Sequence, residues 1–269
     1  MRIAVGVEYD GTGYAGWQYQ TTADSIQAQV ERALGEVANH PVDATCAGRT
    51  DAGVHALCQV AHFDAFAVRS GRGWVLGANS HLPDDIALLW AIPVPADFHA
   101  RYSATARSYR YVILNRSTRS ALARLRACLV HRVLDVAAMQ SAAQWLIGEH
   151  DFTSFRSSEC QSRTPVRRVE SVTVVRDGEY VLIDVTANAF LHHMVRNIAG
   201  ALMRVGLGEA QPDWVGTVLG ERDRTRAGIT APPQGLYLRA IAYPASFGLP
   251  GAVAAEPGLS SMIGPHVMV

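Results

Sequence analysis

The sequence predicts an α+β fold in which one pattern is used twice. Two observations carry this. Apolar periodicities of two and of about 3.6 alternate in the order strand, helix, strand, strand, helix, strand, and each half of the chain shows that order once. Pro93 and Pro95 then mark a boundary between the halves. The order is that of a split βαβ, ferredoxin-like unit. Two βαββαβ units joined edge to edge predict a broad sheet with helices on one face and a central cleft on the other. The expected division is an N-terminal α/β lobe over residues 1–97, a C-terminal α/β lobe over 98–244, and a tail over 245–269.

The elements follow in order. Residues 2–9 place Ile3, Val5, Val7 and Tyr9 on one side of a strand, which Gly11-Thr12-Gly13 ends. Ile26, Val30, Ala33, Leu34 and Val37 recur at helical spacing, with Asp24 and Gln27 spaced as a capping box. Val42–Cys46 and Leu57–Phe63 read as strands flanking a glycine-bearing loop, followed by a short helix near Trp74–Asn79 and a strand at Ile86–Ile92. In the second half, residues 104–114 read as a strand and 135–147 as a helix with Met139, Ala143, Leu146 and Ile147 on one face. Val166–Val175 and Tyr180–Ala187 form a hairpin across Asp177-Gly178, a favoured turn pair. Residues 190–205 suit a helix and Leu236–Tyr243 a last strand. Beyond Pro244, Gly, Pro and Ala dominate, which predicts a surface-lying or partly mobile tail.

Composition narrows the chemistry. Nearly half of the 269 residues are apolar, enough for a substantial core. No apolar run approaches the ~20 residues of a membrane span. The start of the chain lacks a signal-type cleavage site, so the expectation is a soluble, cytoplasmic protein with no membrane partner. Cys46, Cys58, Cys128 and Cys160 form no C-x-x-C pair and read as buried free thiols. His192 and His193 are adjacent, and on a helix would point about 100° apart, poorly placed to hold one metal ion. The formal net charge is zero, and all 24 basic residues are arginine. The missing lysine excludes a P-loop lysine and Schiff-base or pyridoxal chemistry. Eight arginines, Arg101, Arg107, Arg110, Arg116, Arg119, Arg124, Arg126 and Arg132, crowd one segment without an Asp or Glu between them. Such a block attracts phosphate or forms a solvated basic loop, and charge alone fits both.

The stretch Gly48-Arg49-Thr50-Asp51-Ala52-Gly53-Val54-His55 holds a cation, a hydroxyl and a carboxylate between two glycines that permit tight turns. Physics alone gives equal weight to a site built on Asp51 and to a surface turn with a local Arg–Asp pair. The string resembles the active-site motif of the bacterial tRNA pseudouridine synthase A family. The similarity runs in family order through Tyr9-Asp10-Gly11-Thr12 with Gly16-Trp17-Gln18, Phe98-His99-Ala100-Arg101, and Ser103–Tyr111. It continues through Asp151–Phe155, Gln161–Pro165, Asn188–Asn197 and Gly235–Leu238. Ser117–Leu129 and the tail match the pattern least.

The resemblance implies an enzyme that isomerises uridine to pseudouridine at positions 38, 39 and 40 of the anticodon stem-loop of tRNA. It implies Asp51 as nucleophile, Arg196 as its partner, and Tyr109 stacked on the target base. Leu236 would line the pocket floor, and Arg49 would help displace the target nucleotide. It further implies a homodimer of two-lobed subunits, each with a central basic cleft, and tRNA as partner. The reaction needs no metal, small-molecule or redox cofactor, which agrees with the missing lysine and metal motifs. Arg107 and Arg110, with Arg116 and Arg119, are the arginines of the basic block expected to meet substrate phosphates. A passive RNA-binding protein on paired ferredoxin-like units is one rival, though it has no use for a glycine-flanked carboxylate. A hydrolase is another, and needs a second acid beside Asp51, for which Asp10 and Asp151 are candidates.

Overall fold

The computed structural model describes residues 1–250. Its strands and helices run β1 (Arg2–Tyr9), α1 (Ile26–Ala38), β2 (Thr45–Cys46), β3 (His55–Asp64), α2 (Gly71–Asn79), β4 (Ile86–Val94), β5 (Ala106–Asn115), β6 (Cys128–Val130), α3 (Val136–Ala143), β7 (Gly148–Asp151), β8 (Val166–Asp177), β9 (Tyr180–Ala187), α4 (Met194–Gly206), α5 (Trp214–Glu221) and β10 (Leu236–Ala242). The α+β class is thus observed. The described residues fall into two compact units, Met1–Ala106 with the residues from Tyr237 onward, and Arg107–Leu236. The tail expected over 245–269 lies outside the described residues from position 251. Residues 245–247 form a 3₁₀ turn whose Phe247 packs edge-on to Phe98 at 5.1 Å.

In the first unit β1 pairs antiparallel with both β3 and β4, and β2 pairs antiparallel with β3. That order, β4-β1-β3-β2, is the split βαβ arrangement expected from the sequence. At the other end of β3, β10 pairs in parallel through Tyr237↔His55 and Leu238↔Ala56. The alternation read in β1 does place Ile3, Val5, Val7 and Tyr9 in the core, opposite Phe63 and Ala61 of β3. Trp74 of α2 meets Phe63 edge-to-face at 5.1 Å, and each fully buried side chain of this kind contributes roughly 1.5–3 kcal/mol. The cap of α1 differs from expectation. Ser25, not Asp24, is the N-cap, and its hydroxyl accepts from Ala28 N–H. Gln27 instead joins Gln18 and Glu31.

The stretch after Pro95 stays with the first unit because hydrogen bonds hold it there. Arg2 donates to the carbonyls of Ala96 and Phe98, and Tyr243 Oη donates to Ala100 O. Ala100 N–H donates to Nδ1 of His62, a buried imidazole on β3.

The second unit keeps the strand–helix–strand–strand–helix order but adds β6, β7 and α5. Its sheet runs β5-β9-β8-β7, antiparallel throughout, with β6 parallel to β5. The hairpin turns at Gly178-Glu179, one residue later than read, because Asp177 still pairs with Tyr180, and Gly178 takes φ +56. α3 packs on α4 and β8. Gly206 of α4 makes room for the Met139 sulfur, since a Cβ there would lie 2.6 Å from it. α4 starts four residues later than the periodicity implied. Residues 190 and 191 are irregular and 192–193 form a turn, His193 takes φ +61, and the rings of His192 and His193 lie 4.0 Å apart. The pair does not sit on a helix, so the argument that they diverge by about 100° fails. Of the four thiols, Cys46, Cys58 and Cys128 are buried and Cys160 is half-buried. Among the described residues no helix is long and apolar enough to cross a membrane.

His62 yields a pH test. Burial first, then Arg2 and His99, lower its pKa from the ordinary 6.5 to about 4. The folded state therefore favours the neutral ring. Its contribution is complete above about pH 6.5 and is lost as the pH falls toward about 4. The melting temperature of the wild-type chain is expected to fall more steeply over this window than that of His62→Asn. Parallel pH profiles for the two would overturn the assignment.

Candidate active site

Asp51 lies in the loop between β2 and β3 of the first unit, and the loop is held from both sides. The Tyr9 and Thr50 hydroxyls share a buried hydrogen bond of 2.8 Å. Trp17 N–H donates to Thr50 O at 3.0 Å, and Val54 N–H to Asp51 O at 3.1 Å. Gln59 Nε2 donates to Gly48 O at 2.6 Å. Two glycines let neighbouring backbone close on the loop. A Cβ on Gly16, which already takes φ +96, would lie 2.5 Å from Thr50 O, and one on Gly11 would lie 2.0 Å from Val54 O. Gly53 supplies the positive φ (+76) that turns the chain back into β3. Asp51 is thereby carried, half-buried, on a backbone with little freedom to move.

Below the loop, His55 is buried and stacks on Tyr237 at 4.7 Å. Its Nδ1 accepts from Gly11 N–H at 3.1 Å and also lies 3.1 Å from an Asp10 carboxylate oxygen. One nitrogen cannot accept from Gly11 and donate to Asp10 at once. With no hydrogen on Nδ1 the ring serves Gly11, and with one there it would serve Asp10. The same Asp10 oxygen accepts from the backbone and hydroxyl of Thr12, so Asp10 shapes the turn after β1. Asp151, the other suggested second acid, accepts from Thr153 N–H in the second unit and lies 3.7 Å from Arg222. Both acids have structural work. Arg49 stands exposed at the head of the loop.

The remaining expected residues lie in the second unit. Tyr109 is buried on β5, edge-to-face with Phe190 at 4.9 Å. Tyr111 shares its face and donates to Pro232 O at 2.8 Å. Arg196, on the first turns of α4, is half-buried, and its Nε donates to Ala231 O at 2.8 Å while Ala231 N–H donates to Arg196 O. α4 can approach that segment because of Gly200, where a Cβ would lie 2.1 Å from Ile229 O. Asn197, buried next to Arg196, donates to Phe155 O and accepts from Arg224 and Thr230. The base of Arg196 is thus set by three segments, around Phe155, around Arg224 and over 229–231. Leu236 is buried just after Gly235, where a Cβ would meet Val112 O at 2.7 Å.

The arginine block divides. Arg110 is 6% exposed, and its Nε and Nη2 each donate to Asp184 at 2.7 Å across the β5–β9 pair. Its fork is committed to a bidentate pair within the sheet, so it has little to offer a phosphate. Arg116 is bound to Glu179 and to the carbonyls of Thr118 and Arg119, and Arg132 to Glu209. Arg107 is half-buried and donates to Asn188 O. The residues that hold the Asp51 loop, Tyr9, Gly11, Gly16, Trp17 and Gln59, had no role assigned from the sequence. The only signal was that four of them fall in the motif strings around positions 9–18.

A family model for tRNA pseudouridine synthases matches residues 6–103 and 142–244. A tRNA pseudouridine synthase A of Methylococcus capsulatus is 58% identical over 93% of this chain and 92% of its own. The synthase A of Shewanella amazonensis is 58% identical over 93% and 96%, and that of Coxiella burnetii 57% over 93% and 95%. The chain belongs to the tRNA pseudouridine synthase A family, a family of isomerases.

The loop geometry sets a test with an internal control. Gly16→Ala adds a backbone clash to a left-handed φ that itself costs a side-chain-bearing residue roughly 1–3 kcal/mol. Turnover of tRNA is expected to fall at least tenfold, with a lower melting temperature. Gly13→Ala, three residues earlier in the same segment and with nothing within 4 Å of its Cβ, is expected to change neither. Equal behaviour of the two variants would show that the Asp51 loop does not depend on this approach.

Proposed function

We propose that the protein isomerises uridine to pseudouridine at positions 38, 39 and 40 in the anticodon stem-loop of tRNA, with Asp51 as nucleophile and no cofactor. The observation that carries this reading is the Asp51 loop itself. A carboxylate sits on a glycine-flanked turn whose backbone is clamped by Tyr9, Gly16, Trp17 and Gln59, in a chain of this family. Positional restraint of this kind is what a nucleophile needs and what a surface turn does without.

The reaction breaks the C1′–N1 bond, rotates the uracil and rebonds it through C5, from which a proton leaves. The carboxylate of Asp51 would attack C6 or C1′, or assist loss of the C2′ proton, and each route requires it ionised. Arg196 is assigned to pair with Asp51, which keeps the carboxylate charged and oriented through a planar fork. Support for this comes from the family motif and from the anchoring of Arg196 on α4. Tyr109 is assigned to stack on the extruded uracil, the mode expected where chemistry is done on a base. Its edge-on contact with Phe190 would keep the ring upright. Leu236 would line the pocket floor and Arg49 would help displace the nucleotide. Arg107 is kept as a phosphate ligand, and Arg110 is reassigned to holding β5 on β9. The protein is further assigned to the cytoplasm as a homodimer.

Two tests follow, both read with tRNA carrying tritium at uridine C5. Asp51→Asn keeps the shape and removes the charge, so label release should drop at least a thousandfold while tRNA binding persists. Activity within tenfold of wild type would remove Asp51 from the chemistry. Arg196→Lys keeps charge and loses the fork, so single-turnover rate should fall far more than affinity. The losses of Arg196→Ala and Asp51→Ala should be strongly non-additive, because two groups acting as one unit can be lost only once. Additive losses would return Arg196 to the packing of α4.

A further inference from the structure

The turn that follows β4 in the first unit ends in a ring that the fold supports but does not bury. Tyr102 is 76% exposed. A single exposed aromatic is ordinary on a protein surface, but this one rests on a rigid stack. The His99 ring lies 4.3 Å from it at an interplanar angle of 33°. His99 is fixed in turn, because its N–H donates to Ser103 Oγ and its carbonyl accepts from Ser103 N–H. Its Nδ1 accepts from the backbone N–H groups of both Arg101 and Tyr102, so ring and turn are locked together. Behind His99 stands His62 at 4.8 Å, built into β3. The guanidinium of Arg101 lies 5.7 Å from the centre of the Tyr102 ring.

This stack shares its foundation with the Asp51 loop. β2, which leads into the loop, pairs Thr45 with His62 and Cys46 with Ala61. Arg49 and Arg101 both act on the Cys46 thiol, lowering a pKa that burial pushes up to about 12. Burial lowers the pKa of both His62 and His99, so near neutral pH the stack beneath Tyr102 is uncharged and Arg101 supplies its positive charge.

We propose that Tyr102, with Arg101 beside it, is a stacking platform for an unpaired base of the RNA substrate, other than the reacting uridine. The base lies on the exposed ring and the adjoining phosphate meets the guanidinium. An exposed π-face on a preorganised support is what sequence-tolerant base stacking requires, and a neighbouring arginine adds charge attraction. A rigid platform also avoids the entropy lost when a mobile side chain is ordered on binding. The assignment rests on the RNA-modifying reading of this same unit.

The test uses the full chain and an unmodified tRNA transcript, reading affinity and tritium release separately. Tyr102→Ala should weaken binding and raise KM by about tenfold, the scale of one base–aromatic stack, with the loss falling on KM rather than kcat. Tyr102→Phe should bind within about twofold of wild type. Matching melting temperatures would show that neither change unfolds the turn. Transcripts bearing one abasic residue, moved through the single-stranded positions, should identify a site whose loss weakens wild type but not Tyr102→Ala. Wild-type affinity and KM in Tyr102→Ala, or equal sensitivity of both proteins to every abasic position, would overturn the platform. A wild-type chain that binds the transcript but releases no tritium would instead overturn the proposed reaction, and the abasic comparison would still decide the platform by binding.

Discussion

The constraint on which the first unit depends is that a loop of eight residues must hold a carboxylate still without burying it. Glycine-flanked turns are flexible by default, because glycine has the most backbone freedom to lose. The structure offsets that freedom by bringing other backbone against the loop at van der Waals distance. Gly11 and Gly16 are the residues that allow the approach, and any side chain at either would occupy the space of Val54 O or Thr50 O. The Tyr9–Thr50 hydrogen bond then ties the loop to the central strand of the sheet. The freedom of Gly53 is used within the loop, and the lack of a Cβ at Gly11 and Gly16 is used against it from outside.

The same division of labour explains α4 in the second unit. Arg196 leaves the helix at a point where Gly200 admits the 229–231 segment and Asn197 gathers Phe155, Arg224 and Thr230. A buried asparagine satisfied by three partners is costly to disturb, since each orphaned group would lose roughly 1–3 kcal/mol. Placing it beside Arg196 ties the side chain's origin to three hydrogen-bond partners of the neighbouring residue. Arginine is a long side chain with about 2 kcal/mol of rotamer entropy, so a fixed origin matters more for it than for a short residue.

Much of this fold was legible in the sequence because its signals are local. The alternation of β1 and the glycine-bearing turn between β8 and β9 each depend on nearby residues, and both appear within a residue or so of the positions read. The parts that were not legible depend on distant partners. β6 and β7, at three and four residues, are too short for periodicity to register. α5 carries two glycines and so reads as a poor helix former, yet Gly216 is required because Trp145 packs directly on it. Ser25 outcompeted Asp24 as the cap because the chain enters α1 one residue later, a choice made by backbone geometry that composition does not record. Of the candidate site, the Asp51 loop was legible as a string of residues, whereas its clamps were not, since Tyr9, Gly16 and Trp17 are brought to it only by folding.

The arginine block shows the limit of reading charge along a chain. Eight arginines between positions 101 and 132 have no acid among them, and the segment reads as a strongly positive patch. In space the acids return. Asp184, Glu179 and Glu209 follow their arginine partners by 74, 63 and 77 residues, and each meets one member of the block. Pairing strips Arg110 of its value to a phosphate almost completely, because its own guanidinium is buried and bound at both ends to a half-buried carboxylate. It affects Arg116 and Arg132 less, since exposed pairs are worth about 1 kcal/mol or less and can be exchanged for a stronger anion. The positive character of the segment is therefore graded by burial rather than summed by count. A chain with zero net charge can then hold a phosphate backbone, provided its acids are spent on those arginines that the fold needs for itself.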